Sequence, residues 1–178
     1  MKHQAQWFPV NQRWRYRQAG AEMSSWLLDP GSLTRRLQCH GNMTVQVLRQ
    51  AYARPSEEEA KKLNIPSHVD AVIREVLLHC NDEPWIFARS IFPITTLTGA
   101  EQRLHHLAGR SLGELLFTSP KVWRAEFDVA KLRQQDYFSR QVKKLTGIDE
   151  NLWARRSLFY FTDKPIMVNE VFLPRVTQ

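Results

Sequence analysis

VIREVLLHCNDEPWIFARSIFP (Val72–Pro93) and LWARRSLFYFTDKPIMVNEVFLP (Leu152–Pro174) are two segments built on one pattern. Each joins two runs of β-branched, leucine and aromatic residues through a polar stretch with an acidic residue and a proline. This pattern indicates a β-hairpin with a loop of about four or five residues. The two segments therefore predict two antiparallel strand pairs.

Each hairpin also carries an ionisable side chain inside an apolar strand, Arg74 in the first and Glu170 in the second. A buried charge without a partner is very costly, so each must be paired or must face a ligand. Because alternate side chains of a strand share a face, Arg74 lies with Val72, Val76 and Leu78. Arg74 and Glu170 are candidates for a binding site, and a cross-sheet salt bridge between them is the alternative.

The remaining residues predict further short elements. The helices expected from capping and turn residues are Ala21–Leu28, Ser32–Cys39, an exposed helix within Arg54–Ser67, Thr98–Ala108 and Ser111–Phe117. The last of these has Glu114 three residues after Ser111, which is typical of a capping box. Alternation predicts strands at Met43–Ala53 and Lys121–Leu132. Strands mostly follow one another in the chain, so we predict an α+β fold with a single antiparallel sheet.

A chain of 178 residues predicts one domain, residues 1–178. Residues 133–151 are polar and basic, with Tyr137, Phe138, Val142 and Leu145 at roughly helical spacing. We predict that this segment is a surface excursion with a short amphipathic helix, outside the ligand pocket.

The composition, 43% hydrophobic and 24% charged, is that of a globular protein. The formal net charge of +7 favours anionic partners. The positive charges are scattered, and no helix-turn-helix, zinc-finger or RNP-like pattern is present, so nucleic acid is not the expected partner. A small dianionic molecule needs only one or two placed arginines.

No apolar run approaches the ~20 residues of a membrane helix, and the first residues lack the apolar core of a secretory signal.

Cys39 and Cys80 do not form a CxxC motif, which favours free thiols in a reducing cytoplasm. No spacing indicates a metal site, since adjacent His105 and His106 on a helix would point about 100° apart. We expect a cytoplasmic protein without stable membrane insertion and without a metal.

Five stretches resemble the chorismate pyruvate-lyases, the enzymes that make 4-hydroxybenzoate for ubiquinone synthesis. They are SLTRRLQCHGNMTVQVL (Ser32–Leu48), IREVLLHCNDEPWIFARSIFPITTLTG (Ile73–Gly99), SLGELLF (Ser111–Phe117), LWARRS (Leu152–Ser157) and KPIMVNEVFLP (Lys164–Pro174). The resemblance is weaker over the first thirty residues and around Leu132–Asn151, where this chain is longer than the family pattern.

The resemblance implies a cofactor-free lyase, expected to be a monomer, that converts chorismate to 4-hydroxybenzoate and pyruvate in a pocket covered by short helices. It places Arg74 on the ring carboxylate and Glu170 near the ring hydroxyl or the ether oxygen. It also implies substrate contacts from Leu33 and Leu112; the family member compared has methionine at the position of Leu33, and this swap conserves volume. Whether Glu170 acts as an acid or the pocket shapes a concerted elimination stays open.

Three further arginines are secondary candidates. Arg89 lies in the partner strand of Arg74 and is predicted to support it or to bind a second carboxylate. Arg155 and Arg156 are adjacent, so in a regular strand at most one of them faces the pocket. A structural or solvent-facing role is the favoured interpretation of both.

The alternative function is a small-molecule sensing module without catalysis. The effector-binding domain of some bacterial transcription regulators shares the lyase fold and follows a winged helix. Here the matched region begins at Ser32, and the residues before it are too few to form a winged helix. We therefore expect the enzyme rather than a complete regulator.

Overall fold

A computed structural model describes residues 5–98, 107 and 109–178. Its strands are β1 (Phe8–Pro9), β2 (Met43–Ala53), β3 (Ala71–Cys80), β4 (Glu83–Pro93), β5 (Val122–Arg124), β6 (Asp128–Leu132), β7 (Leu152–Phe161) and β8 (Lys164–Phe172). They form one antiparallel sheet in the order β1-β6-β7-β8-β4-β3-β2, with β5 also paired to β7. The predicted fold class, α+β with a single antiparallel sheet, is confirmed.

Short helices lie on both sides of this sheet. They are α1 (Gly20–Leu27), α2 (Leu33–Gln38), α3 (Glu57–Leu63), α4 (Leu112–Thr118) and α5 (Tyr137–Thr146), with 3₁₀ helices at Arg13–Ala19 and Pro174–Thr177. The predicted helix over Thr98–Ala108, with His105 and His106, falls almost wholly outside the described residues. Within the described part of the chain, no helix combines the length and apolar character needed to cross a membrane.

The hairpin loops are shorter than the predicted four or five residues. Only Asn81 and Asp82 separate β3 from β4, with φ angles of 50° and 66°. Only Thr162 and Asp163 separate β7 from β8, and Thr162 has a φ of 60°. Positive φ angles at the centre of a two-residue turn match the twist of the flanking strands. The prolines therefore lie inside β4 and β8 rather than in the loops.

The predicted single strand over Lys121–Leu132 is wrong, because the chain forms β5 and β6 with a break between them. Both strands pair with β7, and Ala125 still donates its N–H to the Leu158 carbonyl at 3.0 Å. The Phe127 carbonyl instead accepts a hydrogen bond from Val10. The N-terminal segment thus hydrogen-bonds to the chain between β5 and β6. The local sequence pattern does not predict this contact.

The sheet has two different faces, named here the cavity face and the opposite face. On the cavity face, Arg74 and Glu170 lie in adjacent cross-strand rows. On the opposite face, one row across five strands is wholly polar: Glu75, Arg89, Asn169, Arg156 and Asp128. Because neighbouring side chains of a strand alternate, these two sets are separated by the backbone of the sheet.

Helix α5 covers part of the opposite face. Its residues Phe138 and Val142 are buried against Leu77 and Phe87, while Leu145 is 40% exposed. The helix predicted within residues 133–151 is therefore present, and one face of it packs into the core. That this segment takes no part in chemistry stays a prediction.

A network of buried charges joins α3 and α5 to the opposite face. The Arg89 guanidinium donates to both carboxylate oxygens of Glu59, at 2.9 and 3.2 Å, and to Glu75 Oε1 at 2.7 Å. Burial by itself lowers the pKa of Arg89, but these hydrogen bonds and the charges of Glu59 and Tyr137 outweigh it and raise that pKa. Since Tyr137 also donates to Glu75 at 3.1 Å, α5 is part of the same network.

We predict that Tyr137→Phe lowers the free energy of unfolding by about 1–2 kcal/mol, because Glu75 loses a hydrogen-bond donor in a buried network. Urea unfolding measures the effect. Tyr52→Phe is the matched control, since Tyr52 is 65% exposed on β2 and should change stability by less than about 0.5 kcal/mol. Equal unfolding midpoints for both variants and the wild type would contradict the role given to Tyr137.

Candidate active site

A cavity of about 50 Å³ lies between the cavity face of the sheet and the two helices α2 and α4, named here the cover helices. All four predicted site residues line it: Leu33, Arg74, Leu112 and Glu170. Leu33 and Leu112 are the first residues of the two cover helices. Each cover helix thus places its first residue, a leucine, over the polar groups of the sheet, and α4 adds Leu116 and Phe117.

Arg74 forms the floor of the cavity on β3. Its side chain is only 2% exposed, and Nη2 donates to the Arg110 carbonyl at 3.1 Å, just before α4. Burial lowers the pKa of this guanidinium. Its row on the sheet continues through Ser90 and Val168, which also line the cavity. A desolvated arginine between apolar walls is well suited to bind a carboxylate.

Glu170 is held by Arg155 in an ion pair, with 2.7 Å between Nε and Oε2. The same guanidinium donates through Nη1 to the Asp29 carbonyl at 2.8 Å and, at 3.4 Å, to the Trp26 and Leu27 carbonyls. Arg155 is 2% exposed, so one buried cation fixes the Glu170 carboxylate and the end of α1. The sequence allowed at most one of the two adjacent arginines to face the pocket and favoured a structural or solvent-facing role for both.

Arg89 and Arg156 lie on the opposite face, so neither is part of this cavity. The prediction that Arg89 supports Arg74 or binds a second carboxylate there is wrong. Arg89 pairs in register with Glu75, while Arg74 pairs with Ser90, and one step in register moves a side chain to the other face. Neither arginine faces solvent, since each is buried in ion pairs.

The cover helices are joined by side chains that sequence reasoning missed. Thr34 Oγ1 of α2 and Ser111 Oγ, which precedes α4, are 2.5 Å apart. The predicted capping box at Ser111 and Glu114 is wrong, because the Ser111 hydroxyl makes no capping bond and contacts Thr34 instead. A capping box does form at α3, between Ser56 and Glu59. Nothing in the local pattern distinguishes these two serines.

Comparison with known proteins places this arrangement in a family. The sequence model described as chorismate lyase matches residues 1–178. The chain is 40% identical to the probable chorismate pyruvate-lyase of Methylococcus capsulatus, over 86% of this chain and 96% of that protein. It is also 40% identical to the probable chorismate pyruvate-lyase of Nitrosomonas eutropha, over 96% and 90% of the two chains. The chain belongs to the chorismate lyase family.

Solved structures show that the chorismate lyase fold is shared with regulator domains. A GntR-family transcriptional regulator from Bacillus cereus superposes with a TM-score of 0.59 at 17% identity, over 76% of this chain and 94% of that one. The effector domain of PhnF from Mycobacterium smegmatis gives 0.57 at 14% identity, over 82% and 90%. At these identities the likeness establishes the fold only.

Gly113 lets the cover helices approach each other closely. A Cβ atom added to Gly113 would lie 2.6 Å from Thr34 Oγ1, which is shorter than any normal contact. The glycine is therefore required for the hydrogen bond between Thr34 and Ser111, although it weakens the helix that contains it.

Proposed function

We propose that the protein converts chorismate to 4-hydroxybenzoate and pyruvate, acting as a cytoplasmic monomer in the aromatic-ring branch of ubiquinone synthesis. The observation that carries this proposal is the cavity at which Arg74 and the Glu170–Arg155 pair share one face of the sheet. Membership of the chorismate lyase family supports the reaction class. The resemblance noted in the sequence supports the proposed pathway and products, and the two cysteines outside any CxxC motif support the proposed location.

The reaction requires mainly that the protein match the charges and the shape of the substrate. Chorismate has two carboxylates and an allylic hydroxyl on a non-aromatic ring, and losing the enolpyruvyl group makes the ring aromatic. Because aromatisation drives the reaction, no cofactor is needed. The protein has to orient the substrate in a dry cavity where its charges are balanced.

Arg74 is the proposed partner of the ring carboxylate, since its planar guanidinium binds a carboxylate through two parallel hydrogen bonds. Glu170 is the proposed partner of the ring hydroxyl. As a carboxylate paired with Arg155, it accepts a hydrogen bond from that hydroxyl and holds the ring in place. This arrangement favours a concerted elimination shaped by the cavity over a stepwise reaction in which Glu170 donates a proton.

The cover helices have to separate to admit the substrate. A volume of about 50 Å³ is well below the roughly 300–1,000 Å³ that is usual for small-molecule sites. Leu33, Leu112 and the Thr34–Ser111 hydrogen bond close the cavity over any ligand. Release of an aromatic product from such an enclosure is expected to be slow and to limit turnover.

We predict that Gly113→Ala speeds dissociation of 4-hydroxybenzoate by roughly 3- to 10-fold, because the new Cβ displaces Thr34 and costs about one hydrogen bond between the cover helices. Stopped-flow displacement of bound 4-hydroxybenzoate measures the rate. Gly109→Ala is the matched control, since a Cβ there meets nothing within 4 Å. Identical dissociation rates for the two variants would show that this contact does not hold the cavity closed.

Turnover of chorismate by the purified protein tests the function. We expect 4-hydroxybenzoate, followed by its absorbance, and pyruvate, followed by a coupled dehydrogenase, to appear in equal amounts. A protein-free solution of chorismate controls for its spontaneous decay. Product formation no faster than in that control would overturn the proposal.

The sensing module is the second candidate, favoured by the shared fold of the regulator domains. It predicts stoichiometric binding of a small aromatic acid without its formation. Calorimetry beside the turnover assay separates the two candidates. Tight binding of 4-hydroxybenzoate together with absence of turnover would favour the sensor.

A further inference from the structure

The cavity face carries a guanidinium group that makes no hydrogen bond to a carboxylate of the described residues. Arg155 is paired with Glu170, and the guanidinium of Arg124 lies beside this pair on β5. Asp29 is nearby, but its carboxylate pairs with Arg36 at 3.1 Å. Because the Arg155–Glu170 pair is neutral as a whole, Arg124 leaves a surplus positive charge at this place, which a carboxylate of the substrate would neutralise.

The opposite face shows that this surplus is not a general property of the sheet. Its buried network is compensated internally, with carboxylates in the majority. The cations are Lys62, Arg89 and Arg156, and the carboxylates are Glu58, Glu59, Glu75 and Asp128. Among the described residues, the two faces of the sheet thus have different charge balances.

Arg124 has a defined position at the border of the cavity. Its Nη2 and Nε donate to Ser157 Oγ at 2.6 and 3.1 Å, and its guanidinium lies 5.5 Å from the ring centre of Phe159, which lines the cavity. Nη1 contacts the Asp29 and Pro30 carbonyls at 3.5 and 3.4 Å. Within the described residues, these hydrogen bonds go to a hydroxyl and two carbonyls, and none goes to a carboxylate.

Arg124 and Arg74 approach the cavity from different sides. Ser157, which Arg124 contacts, stands in the same cross-strand row as Arg74 but three strands away. This separation is about 14 Å at the usual strand spacing. The other candidate, Arg155, is occupied by Glu170 and by the carbonyls at the end of α1. Arg124 is therefore the guanidinium placed to bind an anion at the far side from Arg74.

We infer that Arg124 binds the carboxylate of the enolpyruvyl group of the substrate, the carboxylate that leaves with pyruvate. The inference rests on the proposed function. It identifies the residue that binds the second of the two substrate carboxylates. Burial and the nearby positive charge of Arg155 lower the pKa of Arg124 to about 10, with Glu170 and Asp29 opposing, so the group is charged at neutral pH. A carboxylate at Arg124 would relieve the repulsion between the two guanidinium groups.

The test compares a substrate with two carboxylates and a product with one. Arg124→Met should lower kcat/KM for chorismate by about 30-fold or more, as expected for losing a charge-assisted contact to the substrate. Its affinity for 4-hydroxybenzoate, measured by calorimetry, should stay within about twofold, because this product lacks the second carboxylate. Ser157→Ala, which keeps the charge but removes its hydroxyl partner, should give a smaller loss in the same direction. Arg140→Met, at an exposed position on α5, is the control that should change neither quantity.

Each other outcome has a distinct meaning. If Arg124→Met weakens 4-hydroxybenzoate binding as much as it lowers kcat/KM, Arg124 supports the cavity as a whole and the inference is overturned. If kcat/KM stays within threefold of the wild type, Arg124 does not bind the leaving group. If Arg124→Met does not fold, Ser157→Ala tests the inference instead, through kcat/KM for chorismate and affinity for 4-hydroxybenzoate. A loss in kcat/KM alone would support the inference, and an equal loss in both or in neither would overturn it. A wild-type protein without turnover would overturn the proposed function, whereas an active wild type with an unaffected Arg124→Met overturns this inference alone.

Discussion

Arg74→Ala is expected to weaken 4-hydroxybenzoate binding by about 2–5 kcal/mol, and chorismate binding by a similar amount, because it removes one partner of a desolvated ion pair. The guanidinium is 2% exposed on the floor of the cavity, so water cannot replace it at low cost. The substrate carboxylate would then be buried against apolar side chains and Ser90. Isothermal calorimetry with 4-hydroxybenzoate measures the loss.

Two further variants make this result specific. Arg74→Lys keeps the charge but loses the planar pair of donors, so its affinity should fall between those of the wild type and Arg74→Ala. Arg140→Ala removes an exposed arginine from α5 and should bind 4-hydroxybenzoate like the wild type. Thermal unfolding shows whether each variant is folded. Affinity of Arg74→Ala within twofold of the wild type would rule out the carboxylate-binding role.

Glu170→Gln is expected to lower the free energy of unfolding by about 3–5 kcal/mol, because Arg155 remains buried without its counter-charge. Turnover should fall by roughly tenfold, since the amide oxygen still accepts a hydrogen bond from the ring hydroxyl but without the assistance of charge. Denaturant unfolding and steady-state kinetics measure the two effects. The double variant Arg155→Met/Glu170→Gln should recover part of the stability, because neither charge remains.

The same variant separates the two mechanisms for Glu170. A general acid would lose roughly 10²–10⁴ in turnover on this change, with substrate affinity largely retained. A loss of that size at unchanged stability would therefore favour a stepwise reaction and contradict the role proposed here. A modest loss of turnover with a large loss of stability would support a carboxylate that positions the ring.

Several features were accessible from the sequence because they depend on residues close together in the chain. Alternating side chains identified the hairpins around Arg74 and Glu170, and the strand Met43–Ala53 has the predicted bounds. Helical spacing in residues 133–151 predicted α5. The four residues that the family resemblance implied all line one cavity. A period of two residues also required Arg155 and Arg156 to lie on different faces.

The partners of these residues were decided only by the tertiary structure. A period of two assigns each side chain to one of two faces, but the pairing of distant strands decides which residues become neighbours on a face. The register of β3 and β4 put Arg89 beside Glu75, and that of β7 and β8 put Arg155 beside Glu170. The break between β5 and β6 that leaves Arg124 beside Ser157, and the contact between Thr34 and Ser111, join elements far apart in the chain. No local pattern encodes such distances, because they arise when the sheet and its helices pack around one core.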